Sequence, residues 1–88
     1  MTHFVYVLHS EKDDKMYTGY TTNLKDRLIS HNCGKGKSSR RYRPYKLLYF
    51  EGCLNKKDAL HRERYLKTAW GKRYIKNRLK NYLSNKPR

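Results

Sequence analysis

Glu63 is the side chain whose position most needs a chemical explanation. On a helical wheel with Ala59 as reference, Leu66 falls at about −20°, Trp70 at about 20° and Glu63 at about 40°, so a carboxylate sits inside an apolar stripe. A charged acid there is costly unless a cation, hydrogen bonds or a metal ion holds it. Two readings follow: a structural ion pair with one of the many Arg and Lys residues, or a hard ligand for a divalent ion. Mg²⁺ suits the second, because it commonly takes one carboxylate and completes its shell with water and substrate phosphate. The other acids, Glu11, Asp13, Asp14, Asp26, Glu51 and Asp58, are scattered, and Asp13 and Asp14 read as a turn.

Arg27 and His31, four residues apart, border the apolar face defined by Leu24 and Leu28. From there an arginine can brace a phosphate through two hydrogen bonds and a histidine can hydrogen-bond or move a proton. The plain alternative is a solvated helix flank. Tyr6 and Tyr17 share one face with Gly19 if the turn between their strands holds an even number of residues, and the glycine then leaves room beside them. Aromatic pairs in hairpins usually serve packing. A phenol becomes a general base only when a cation or a metal-bound water favours its ionised form.

These residues need elements to position them. Segments 3–8 and 15–20 are aromatic and β-branched around a polar cluster, which predicts a β-hairpin. Asn23 caps a short helix reaching about Asn32, and Gly34 ends it. The stretch 33–44 is basic, with glycine and serine and no hydrophobic periodicity, so an exposed, mobile loop is expected. Its Lys35, Lys37, Arg40, Arg41 and Arg43 are phosphate-contact candidates. A phosphate-binding GxxxxGK[ST] loop is excluded because position 31 is histidine and the segment follows a helix. Tyr45–Glu51 predicts a third strand, Asn55 caps a helix over Lys56–Trp70, Gly71 interrupts, and a last helix covers Lys72–Leu83 with Ile75, Leu79 and Leu83 on one face. The expected class is α+β, a small antiparallel three-stranded sheet flanked by helices, in one domain over residues 1–83 with a frayed basic tail at 84–88.

Composition narrows the partners. The 88 residues carry 22 Lys and Arg against 7 Asp and Glu, a net charge of +15. A chain this short buries only about 60–65% of its unfolded surface, which excludes a separate cofactor domain. Nine tyrosines argue against a disordered basic tail. Uncompensated positive charge points to nucleic acid, with an anionic membrane surface as competitor. No apolar run approaches a membrane span, and the start lacks a signal-peptide pattern, so a soluble cytoplasmic protein is expected. Cys33 and Cys53 read as reduced thiols.

Val5-Tyr6-Val7-Leu8 followed by Tyr17-Thr18-Gly19 resembles the two halves of the GIY-YIG nuclease motif. Arg27, His31 and Glu63, the last within Ala59–Lys67, stand where that superfamily carries its arginine, its histidine or tyrosine and its metal-binding glutamate. The likeness runs from Phe4 to Leu79 and is strongest to small stand-alone bacterial members. It implies that Glu63 holds one divalent ion, Mg²⁺ or Mn²⁺, and that Arg27 stabilises charge on the scissile phosphate. Tyr6 would be the general base, Tyr17 its support, His31 a phosphate contact or proton carrier, and Gly19 structural. Phe4 and Val5 take the glycine and isoleucine places of the first tripeptide, and Thr18 replaces an aliphatic residue. A polar residue that some relatives carry after the glutamate helix has no clear counterpart, with Arg73, Lys76 or Asn77 as substitutes.

The expected function is therefore a metal-dependent endonuclease hydrolysing DNA phosphodiester bonds, with a place in DNA repair or processing. The DNA would be branched or single-stranded, with RNA left open as an alternative and no small-molecule cofactor. The alternative is a non-catalytic nucleic-acid-binding module on the same fold. A membrane-surface protein is disfavoured, because the charge is spread over several elements without one long basic amphipathic helix.

Overall fold

A computed structural model describes residues 1–34 and 41–84. Its sheet has three antiparallel strands, β1 (His3–Ser10), β2 (Met16–Thr21) and β3 (Tyr45–Cys53), in the order β2-β1-β3. The first strand is central and almost wholly buried, as a strand covered on both faces must be. Pairing with β2 matches Tyr6 to Gly19 and Leu8 to Tyr17. That register puts Tyr6, Tyr17 and Gly19 on one face, as the even-length turn requires. The turn is tied by Asp13, whose carboxylate accepts from the Lys15 amide at 3.1 Å, and by Asp14 in the left-handed region at φ 58°.

The pairing of β1 with β3 slips by one residue between Val7 and Leu8, so Leu48 is the extra residue of a bulge. Before it, Tyr45 and Leu47 pack with Leu8 and Tyr6; after it, Tyr49 packs with Val5 and Val7. One strand thus feeds both layers of the core.

The helix α1 (Leu24–Asn32) covers the Tyr6 and Leu8 face with Leu24 and Leu28. Its boundaries follow from local chemistry: the Asn23 side chain accepts from the Asp26 amide at 3.0 Å, and Gly34 follows with φ 75°, the left-handed residue that commonly ends a helix. The other face is covered by α2 (Lys56–Leu66) and α3 (Ala69–Arg78), which bring Ala59, Leu66 and Ile75 onto Val5 and Val7. A short α4 (Lys80–Ser84) follows.

The expected single helix over Lys56–Trp70 is in fact broken after Leu66. Thr68 accepts from the Gly71 amide at 3.1 Å and caps a new helix, so capping overrides the continuing apolar period. Gly71 does not interrupt a helix; it lies inside α3, where a Cβ would collide with the Tyr65 carbonyl and Leu66 backbone. Trp70 consequently leaves the apolar stripe and stands exposed. The last expected helix starts earlier, at Ala69, and ends at Arg78 instead of continuing to Leu83. Ser84 closes α4, and the expected tail residues 85–88 lie outside the described residues. Among those described, no helix is long and apolar enough to cross a membrane.

Candidate active site

Tyr6 projects from the central strand across the glycine of its neighbour. Any Cβ at Gly19 would overlap the Tyr6 hydroxyl, so the absence of a side chain there fixes where the phenol lies. The hydroxyl hydrogen-bonds His31 Nε2 at 3.0 Å, and the His31 ring stands edge-on to the Tyr6 and Tyr45 rings. His31 reaches this position because α1 presents its Leu24 and Leu28 side to the sheet, with residue 31 one turn after Arg27. His31 Nδ1 is buried with no hydrogen-bond partner among the described residues.

Charges around this pair come from two other elements. Burial pushes the Tyr6 phenol above its ordinary value, Arg27 pulls it down and Glu63 pushes it up. The phenol therefore feels a cation from α1 and an anion from α2. Burial, reinforced by Arg27, lowers the His31 pKa below 6.5, so the imidazole is neutral at pH 7. A resting site with a protonated phenol against a neutral imidazole follows.

Tyr17 lies on the same face but faces away from this pair in its bonding. Its hydroxyl donates to the Asp13 carboxylate, which is the leading cause of a pKa raised to about 12. Its ring stacks on Tyr42 at 5.9 Å and meets Tyr45 edge-on at 5.7 Å. Asp13 is thus a turn residue and also the partner of Tyr17.

Glu63 is held mostly out of solvent, its side chain 18% exposed, and pairs with Lys67 Nζ at 3.1 Å one turn later. Both readings of this residue remain chemically available, because a lysine on a flexible stem can yield to a divalent ion. The donor chemistry fits a hard cation. No group of three or more His, Cys, Asp or Glu converges among the described residues, so an ion here would draw one carboxylate from the protein and the rest from water and phosphate.

Among the phosphate-contact candidates, Arg41 and Arg43 are exposed, with Arg41 over the Tyr42 ring at 5.6 Å. Lys35, Lys37 and Arg40 lie outside the described residues. Two features had no signal in the sequence because their partners are distant along the chain. Asn32 accepts from the Tyr45 amide at 2.6 Å and donates to its carbonyl at 3.0 Å, standing in for a strand at the start of β3. Glu51, read as scattered, is gripped by Arg62 through two 2.9 Å hydrogen bonds and accepts from the Tyr49 hydroxyl at 2.8 Å.

Residues 2–76 match the family model described as the GIY-YIG catalytic domain. The chain belongs to the GIY-YIG family. This is a nuclease family whose members generally depend on metal ions and act on nucleic acids. Among its relatives, the chain is 45% identical over 67 residues to a UPF0213 protein of Staphylococcus haemolyticus, covering 75% of this chain and 80% of that one. It is 48% identical over 65 residues to a UPF0213 protein of Clostridium perfringens, covering 73% and 69%. A solution NMR structure of a UPF0213 protein from Bacillus halodurans superposes with a TM-score of 0.53 at 33% identity, over 85% of this chain and 82% of that one. In GIY-YIG terms, the two motif halves are paired strands here, the first ending at Tyr6 and the second ending at Gly19 directly opposite.

Proposed function

We propose that this GIY-YIG chain is a metal-dependent endonuclease that hydrolyses DNA phosphodiester bonds at Tyr6. The observation that carries the reading is the buried phenol, bonded to a neutral histidine and set between the fields of Arg27 and Glu63. A raised phenol pKa argues against a resting phenolate. Tyr6 instead works as a relay: as water attacks phosphorus, the phenol oxygen takes the water proton while its own proton passes to His31 Nε2. The scissile P–O bond breaks and its leaving oxygen takes a proton from solvent. Arg27, exposed beside the pair, neutralises charge on the phosphate oxygens. Tyr17, pinned by Asp13, holds the sheet face against which Tyr6 lies. Glu63 would hold the divalent ion, Mg²⁺ or Mn²⁺, which supplies further charge neutralisation at the phosphate.

The test is cleavage of labelled single-stranded, duplex, flapped and branched DNAs, with an RNA arm, at low salt with Mg²⁺, Mn²⁺ or EDTA. Metal-dependent products that fall by about 10³-fold in Glu63→Gln support the nuclease and identify its substrate shape. Binding across the panel without any cleavage overturns it in favour of a non-catalytic module on this fold, for which the +15 charge alone suffices.

A further inference from the structure

The chain's acids stop at Glu63. From Arg64 to Arg88 there are nine Lys and Arg and no Asp or Glu, so this segment carries +9 of the net +15. Seven of those cations lie among the described residues, and every one is exposed. A segment with this charge, in which Lys67 alone pairs with an acid among the described residues, attracts a polyanion and repels a second copy of itself.

Trp70 lies within that segment. It is 67% exposed, unusual for the residue with most to gain from burial. Its orientation has a cause: Gly71 is buried against the Tyr65 and Leu66 backbone, and Ile75 continues that inward stripe. One residue earlier on the helix, Trp70 must point outward. The Arg73 guanidinium lies 5.0 Å from its ring centre, which holds the indole in place by a cation–π contact and leaves its other face open. Lys76, three residues after Arg73, is exposed as well. Lys67, which caps the end of α2 three residues before Trp70, pairs with Glu63.

We infer that the exposed side of α3, with Trp70 as stacking platform and Arg73 and Lys76 as phosphate contacts, is a docking surface for an unpaired nucleotide of the substrate strand. This inference rests on the nucleic-acid reading above and adds to it a surface that the basic stretch 35–43 does not include. An indole offers a π-face that any unstacked base can cover, whereas a duplex exposes such a face only at its ends. The surface therefore favours single-stranded or flapped segments.

Trp70 is the only tryptophan in the chain, so its emission reports this surface alone. The experiment titrates the full chain in EDTA, where no cleavage is needed, with a twelve-residue oligothymidylate and with a duplex of equal length. Anisotropy of the labelled oligonucleotide is recorded in parallel. Emission is expected to be quenched in step with binding of the single strand, and Trp70→Ala to weaken that binding about tenfold, with Trp70→Phe closer to the wild type and duplex binding changed about threefold or less. Far-UV circular dichroism of the variants checks that the helices persist. Binding by anisotropy with unchanged emission, and equal affinities for all three proteins, overturns this inference and leaves the nuclease reading standing. Emission that changes with protein concentration alone, together with a dimer in sedimentation, overturns it in favour of self-association. No binding to either oligonucleotide at low salt overturns it along with the nucleic-acid reading beneath it.

Discussion

Around Glu51 every charge has an answer, whereas around Tyr6 the same kinds of groups are held but incompletely matched. Glu51 receives both arms of Arg62 and the Tyr49 hydroxyl, and Arg62 lies over the Tyr65 and Tyr74 rings at 5.2 and 4.7 Å. Burial works to raise the Glu51 carboxyl, but the hydrogen bonds and charge of Arg62, with Tyr49, hold it below the usual range. Tyr6 and His31 share a single hydrogen bond, His31 keeps an unpartnered Nδ1 among the described residues, and Glu63 has one lysine. Mutual satisfaction uses up the capacity of a side chain to act on anything else. The Glu51 cluster is thus a structural joint between β3 and α2, and the Tyr6 cluster retains capacity for a substrate.

Substitutions can separate the two regions. Gly19→Ala gives the largest separation: the added methyl displaces the Tyr6 hydroxyl from His31, and cleavage falls about 100-fold, while the melting temperature measured by circular dichroism changes little because the ring end can swing aside. Arg62→Ala does the reverse. It leaves the half-buried Glu51 with only the Tyr49 hydroxyl and costs about 2 kcal/mol, between the exposed and fully buried limits. For a chain of this size that lowers the melting temperature by about 8–16 °C, with cleavage at low temperature retained.

The pH dependence sharpens the contrast. Because the His31 pKa is lowered from 6.5, its neutral form persists through the neutral range and is lost only below that value. Cleavage should hold level as pH falls from 7.5 to 6.5 and then drop about tenfold per unit once His31 is protonated, and this acid limb should be absent from the residual rate of His31→Ala. The smallest effect is that of Lys67→Met. Removing the competitor for Glu63 raises Mg²⁺ or Mn²⁺ affinity by about two- to fivefold in calorimetry, the worth of a helical ion pair one turn apart.

The parts of this arrangement written in short-range pattern were legible in the sequence. Alternation and an even turn place Tyr6, Tyr17 and Gly19 on one face, and Asn23, Asn55 and Gly34 mark helix ends through their own capping chemistry. The break at Thr68 was not legible, because a cap and a continuing apolar period compete there and the close passage of Gly71 over Leu66 decides between them. Glu51 and Arg62, or Asn32 and Tyr45, are joined only once strands and helices have packed, so no local spacing announces them. Glu63 was conspicuous for the opposite reason: its own helix already placed an acid where apolar residues belong.

The extra residue in β3 sets a rule for shortening this protein. Leu48 is the point at which the strand turns its odd-numbered residues from the α1 layer to the α2 layer. Deleting it would close the ladder, because Tyr49 against Val7 would then follow Leu47 against Leu8, and Glu51 would keep its place opposite Val5. Losing a paired residue beyond it, such as Phe50, would instead rotate all that follows by half a pleat, carrying Glu51 away from Arg62 and onto the face that Tyr6 occupies. A single lost codon at Phe50 would dismantle the joint and deliver a foreign carboxylate to the phenol in the same step, a far harsher outcome than the loss of Leu48 itself.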